Sequence, residues 1–157
     1  MTSSADLRTT VADIFRHQWS TTDGRVIPVP GDLGLGNVAR SFDSATVLYA
    51  DLDSSTTLVD SYIWQFSAEV YKAYLRCAAR IISAEGGVIT AYDGDRVMAI
   101  FLGQTKNTQA VRAAMKIAYA VEQVINPELK AQYTDTDYTV AHSIGIDVSP
   151  IHAASIG

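Results

Sequence analysis

The dipeptide Asp93-Gly94 lies between two apolar, β-prone runs, Val88–Tyr92 and Asp95–Leu102. Asp-Gly in that setting is the strongest short-range hairpin signal, and it predicts a two-residue type I′ turn. A hairpin makes its strands antiparallel neighbours, so a purely parallel, doubly wound sheet is excluded. In such a turn Tyr92 pairs with Asp95 and Ala91 pairs with Arg96, and paired side chains share a face.

Further elements follow from periodicity. Ala45–Asp51 (ATVLYAD) reads as a strand. A helix is predicted over 57–84, with Leu58, Tyr62, Phe66, Val70, Tyr74, Cys77 and Ile81 at helical intervals, and Gly86 and Gly87 stop it. A second helix is predicted over 107–125, with a stripe of Val111, Met115, Ala118, Val121 and Ile125, and with Pro127 ending it. Thr139–Val148 reads as a strand, followed by a turn or bulge at Pro150. Ahead of these, Leu7, Val11, Ile14 and Phe15 predict a short helix over 4–19. Gly24, Pro28, Pro30, Gly31, Gly34 and Gly36 then predict an irregular connection over 20–44. The Gly-Leu-Gly at 34–36 lacks the glycine spacing of a phosphate loop.

The order helix, strand, helix, hairpin, helix, strand predicts an α+β fold, a mainly antiparallel sheet with helices packed on one face. Residues 1–44 form an N-terminal helix and irregular segment, and 45–157 form the main domain. The chain has 157 residues and is 48% hydrophobic, which suffices for one real core. Its net charge of −5 and pI near 5.0 give no basis for a nucleic-acid surface or an anionic membrane partner. No apolar run approaches the roughly 18 residues of a membrane helix, and MTSSADLRTT lacks the apolar stretch of a signal peptide. The single Cys77 forbids an internal disulfide and reads as a small buried hydrophobe. A cytoplasmic protein is expected.

The chemistry centres on two aspartates. Asp51 ends the first strand and Asp95 opens the strand after the hairpin turn. If those strands are neighbours, two carboxylates converge, as hard divalent cations require. Two such ions can activate an attacking oxygen and neutralise a leaving pyrophosphate. Ser54, Ser55 and Thr56 open the long helix, where backbone N–H groups favour phosphate, and Asp53 is a helix cap or a second acid. Taken singly, these are ordinary caps and turns. The pair, in this order and with a long helix between, points to metal-dependent nucleotide chemistry. Tyr49 lies two residues before Asp51 and faces the same way. Arg96, placed across from Ala91, offers a fork of donors for a base edge. His142 and His152 have no acid partner at a telling spacing and read as structural, while Trp19 and Trp64 read as packing or dimer-contact residues.

Three stretches together resemble the class III adenylate and guanylate cyclases: Val47–Thr56 (VLYADLDSST), Gly87–Phe101 (GVITAYDGDRVMAIF) and Gly145–Gly157 (GIDVSPIHAASIG). The similarity covers 45–157. It implies a ferredoxin-like domain and a head-to-tail homodimer with sites at the interface. It further implies two Mg²⁺ or Mn²⁺ per site at Asp51, Leu52 and Asp95. The implied reaction is attack of a ribose 3′-hydroxyl on the α-phosphate with release of pyrophosphate. Adenylate cyclases of this family usually carry a lysine where this chain has Ala91. The transition-state asparagine and arginine of the family fall beyond Gly157, which implies a longer enzyme, truncated here. YADLDSST and YDGDRVMAIF resemble the bacterial pyrimidine cyclases of anti-phage signalling. That resemblance implies a pyrimidine nucleoside triphosphate substrate, and with Tyr49, Ala91 and Arg96 placed to read the base UTP is favoured and CTP is possible. The alternatives are a purine cyclase, or a non-catalytic cyclase-like module that binds nucleotide or dimerises.

Overall fold

A computed structural model describes residues 3–29 and 31–155. Pro30, one of the breakers above, and the last two residues of the 145–157 motif lie outside the described residues. The elements in chain order are α1 (Ser4–Arg16), β1 (Ser20–Asp23), β2 (Val38–Leu52), α2 (Ser55–Ser61), α3 (Trp64–Ala84), β3 (Val88–Asp93), β4 (Arg96–Phe101), α4 (Lys106–Ala120), a π-helical turn (Val121–Ile125), α5 (Asn126–Gln132) and β5 (His142–Ala154). The chain divides into two compact units, Ala45–Val148 and Met1–Ser44 with Ser149–Gly157.

In the larger unit β4 lies between β2 and β3, antiparallel to both, and β5 pairs with β2. Alternation along the strands sorts side chains to two faces. Leu48, Ala50 and Leu52 of β2 and Val97, Ala99 and Phe101 of β4 are buried in one cluster. The same cluster takes Phe66, Val70, Tyr74, Ala78 and Ile82 from α3, and Ala110, Ala113 and Ile117 from α4. Each large apolar side chain in it contributes roughly 1.5–3 kcal/mol by leaving water. Tyr49, Asp51, Arg96 and Met98 alternate with these residues and take the other face of the sheet. The α+β arrangement with helices on one face is therefore present.

Several local expectations differ. The helix expected over 57–84 is two helices, α2 and α3, broken at Tyr62 and Ile63, which are extended. The break swings the Tyr62 ring onto Phe66, with centroids 4.8 Å apart, and against Tyr138. The Ser67 hydroxyl donates to the Leu58 carbonyl across it at 3.2 Å. On α4 the buried stripe is Ala110, Ala113, Ile117 and Ala120, not Val111 and Met115, and Met115 is 68% exposed. The alanines let α4 come close, whereas periodicity had favoured bulk. Pro127 does not end this helix. The π turn supplies a longer step, the Asn126 N–H reaching the Val121 carbonyl, and the chain continues into α5 past the proline.

Residues 20–44 are not wholly irregular. Here β1 pairs in parallel with the start of β2, from Ser20↔Val38 to Asp23↔Ser41. The polar β1 sequence, STTD, carried no strand signal. At the other end β5 runs through Pro150 to Ala154, so His152 lies in a strand rather than a turn. Helix α1 stops at Arg16, begins with a Ser3/Asp6 capping box, and buries none of its residues. Its expected stripe stands exposed, Phe15 at 83%. No described helix is long and apolar enough to cross a membrane.

Candidate active site

The site is built on the sheet face turned away from the helices. Register sets two cross-strand rows. Tyr49 of β2 pairs with Met98 of β4, which pairs with Ala91 of β3. Asp51 pairs with Arg96, which pairs with Asp93. This corrects the hairpin expected from sequence. The turn residues are Gly94 and Asp95, not Asp93 and Gly94. Gly94 has φ +61 while Asp95 does not share a positive φ, the signs of a type II′ turn rather than I′. Farther from the turn, Thr90 is an extra residue between the paired Ile89 and Ala91, a bulge that shifts the register only beyond Ala91. With the turn at Gly94 and Asp95, Arg96 does not stand across from Ala91. Its Nε lies 3.5 Å from Oδ1 of Asp51, and Asp95 sits in the turn instead of opening the strand.

One buried hydroxyl of α3 reaches the end of β2. Tyr74 of α3 is fully buried, and its hydroxyl donates to the Asp51 carbonyl at 3.3 Å. Burial pushes the Tyr74 ionisation strongly upward, and the charges of Asp51, Asp53 and Asp95 push it further. The phenol is thus a neutral donor to the Asp51 carbonyl. Sequence reasoning placed Tyr74 only on an apolar stripe. The available signal was a polar atom on a residue expected to be core, which needs a partner. His142 packs its ring 6.1 Å from that of Tyr74, in keeping with a structural role.

The segment after β2 turns sharply. The Asp53 N–H donates to the Ala141 carbonyl at 2.9 Å. Ser54 takes the N-cap position of α2 with φ +56, and it makes no side-chain capping bond. Asp53 is therefore not the cap, and Ser54, Ser55 and Thr56 open a seven-residue helix, not the long one. Beside Tyr49, a recess of about 460 Å³ is lined by Val47, Tyr49, Met98, Gly145, Ile146 and Asp147. Trp19 and Trp64 are exposed and pack into no core among the described residues. Cys77 is half-buried against the core, away from these carboxylates.

Could these residues hold a metal? Among the described residues, no group of three or more His, Cys, Asp or Glu side chains could hold one unaided. Asp51 and Asp95 are both partly accessible, and Leu52, its side chain buried, has only its main-chain carbonyl to offer. Two carboxylates and a carbonyl are hard oxygen donors. They suit a divalent cation that completes its shell with water and phosphate oxygens.

No family model matches the chain. Its fold is similar to that of the guanylyl cyclase Cya2, with a TM-score of 0.66 and 21% identity over 76% of this chain and 59% of that one. It is also similar to the adenylyl cyclase CyaB from P. aeruginosa, with a TM-score of 0.61 and 18% identity over 73% of this chain and 59% of that one. The architecture is that of the class III nucleotide cyclases. Sequence comparison goes further. The chain is 52% identical over 153 residues to a uridylate cyclase of Xanthomonas perforans, covering 97% of the chain and 66% of that relative. It is 48% identical over 158 residues to a uridylate cyclase of Burkholderia cepacia, covering 100% of the chain and 69% of that relative. The chain belongs to the uridylate cyclase family. It spans about two thirds of the length of these relatives.

Proposed function

We propose that the protein carrying this chain converts UTP to 3′,5′-cyclic UMP and pyrophosphate. The observation that carries this reading is the placement of Asp51 near the end of β2, paired with Arg96, and of Asp95 next to Arg96 in the β3–β4 turn, on a cyclase fold. In the reaction the ribose O3′ attacks the α-phosphorus and loses its proton, and the bond to the bridging oxygen of the β-phosphate breaks. Asp51, Asp95 and the Leu52 carbonyl would hold two Mg²⁺ or Mn²⁺, which when bound supply charge neutralisation at the developing oxyanions. Ser54, Ser55 and Thr56 are assigned to phosphate oxygens.

The base is assigned to the row Tyr49–Met98–Ala91 and the recess beside it. The Tyr49 hydroxyl can donate to a uracil carbonyl, and Ala91 leaves room where a lysine would stand. Arg96 lies one row nearer the turn, on Asp51, so it suits phosphate charge better than a base edge. The open sheet face is assigned to a second copy in a head-to-tail homodimer. The family resemblance further suggests a cytoplasmic enzyme whose product is a messenger in anti-phage defence. Incubating the protein with each of the four ribonucleoside triphosphates and Mn²⁺ tests the substrate. Cyclic UMP should dominate. Cyclic CMP as the main product would move the base assignment to cytosine, and cyclic AMP alone would defeat the pyrimidine reading.

A further inference from the structure

Ser54 is the only non-glycine with a positive φ among the described residues, and that conformation is disfavoured for any L side chain. Such a residue persists only where its surroundings over-determine it. Here three hydrogen bonds surround it. The Tyr74 hydroxyl donates to the Asp51 carbonyl at 3.3 Å, and the Tyr71 hydroxyl donates to the Ser55 carbonyl at 3.3 Å. Between them the Asp53 N–H donates to the Ala141 carbonyl. Tyr71 and Tyr74 are three residues apart on α3, hence on one face of it. Packing alone accounts for their rings but not for their hydroxyls. Phenylalanine would fill the same space, whereas the hydroxyl of the fully buried Tyr74 must be compensated by a partner, and that of the partly buried Tyr71 bonds a main-chain carbonyl instead of water. The acceptors are the two ends of the segment that carries the candidate metal and phosphate residues.

We propose that Tyr71 and Tyr74 are positioning residues: a two-point clamp from α3 that holds Asp51–Ser55 in the strained course that Ser54 marks. The clamp fixes the peptide planes of the segment, and through them the Asp51 carboxylate, the Leu52 carbonyl and the amides at 54–56. The conformational part needs only the contacts above, while the metal part rests on the cyclase reading.

The test compares the protein with its Tyr71→Phe, Tyr74→Phe and doubly substituted forms, and with the double form carrying Ser54→Gly. Hydrogen exchange without metal reads the clamp itself. Amides of 52–57 should exchange about tenfold faster in the double variant, with the amides of β4 unchanged. Ser54→Gly, which removes the penalty of the positive φ, should restore part of that protection. Mn²⁺ binding, followed by the electron paramagnetic resonance of the free ion, should weaken about tenfold in the double variant and partly recover with Ser54→Gly. Unchanged exchange over 52–57 overturns the clamp. So does faster exchange across α3 and β4 alike, which would reveal a general core defect. Unchanged Mn²⁺ binding despite a loosened segment overturns the positioning role. If the unsubstituted protein binds no Mn²⁺, the cyclase reading fails, and hydrogen exchange still decides the clamp.

Discussion

Arg96 faces Asp51 directly across the β2–β4 ladder, its Nε 3.5 Å from the carboxylate, so a fixed cation neutralises one of the two acids assigned to metal. Both side chains are well exposed, at 45% and 38%, so the pair adds at most about 1 kcal/mol to stability. If Asp51 holds metal as proposed, the pair competes with the bound cation. Arg96→Ala should leave the thermal midpoint nearly unchanged and tighten Mn²⁺ binding by up to about fivefold. A binding titration with each form checks this, and weaker Mn²⁺ binding in the variant would mean that Arg96 orients Asp51 instead.

The row Tyr49–Met98–Ala91 makes a separate prediction about the base. Ala91→Lys places a long cation beside Met98 and Tyr49. It should lower kcat/KM for UTP by about tenfold or more, through lost space and a misplaced charge. Mn²⁺ binding should barely change, because Asp51, assigned to metal, sits one row away. Initial rates at several UTP concentrations, set beside a Mn²⁺ titration, separate the two effects. Unaltered UTP kinetics would remove Ala91 from the base pocket.

Glu85 closes α3 and accepts from Arg112 Nε at 3.0 Å and from Lys116 of the same helix, α4. The Lys116 hydrogen bond is the main cause that holds its carboxyl below the ordinary value of 4.5, with the charges of Arg112 and Lys116 adding to it. A carboxylate whose folded pKa is depressed contributes stability above its unfolded pKa. That contribution is lost as pH falls through the folded value. Thermal midpoints measured from about pH 6 to pH 3 should therefore fall more steeply for the unsubstituted chain than for Glu85→Gln. Parallel acid limbs would show that this cluster adds nothing.

Gly87 marks where α3 hands the chain to β3. A Cβ there would come within 2.6 Å of the Phe101 ring and 2.7 Å of a methyl of Ile82. Both neighbours are wholly buried and cannot swing aside. Gly87→Ala should destabilise the fold by about 1–3 kcal/mol, the usual cost of overpacking, read from chemical denaturation.

Much of the larger unit was legible because its signals are local. The Ala45–Asp51 strand, the hairpin and the stripe on α3 each follow from alternation or helical spacing over a short window. What failed depended on partners far away in sequence. β1 has no apolar residue and exists by pairing with the start of β2. The break at Tyr62 serves an aromatic cluster with Tyr133 and Tyr138. The turn falls at Gly94-Asp95, one residue later than the Asp-Gly signal places it, and that offset pairs Arg96 with Asp93 instead of Ala91. In the candidate site, spacing singles out Asp51 and Asp95, although Asp95 lies in the turn and not at the start of β4. It does not single out Tyr74, because its partner is a backbone carbonyl on another element.

The central claim is that Asp51 and Asp95 make this a metal-dependent uridylate cyclase. Its most direct test is the formation of cyclic UMP from UTP and Mn²⁺ by the protein carrying this chain, followed by mass spectrometry, beside Asp51→Asn and Asp95→Asn. The account predicts cyclic UMP and pyrophosphate in equal amounts from the unsubstituted protein, and a loss of about a hundredfold or more in rate with either substitution. Cyclic UMP formed at a comparable rate by either variant would contradict it.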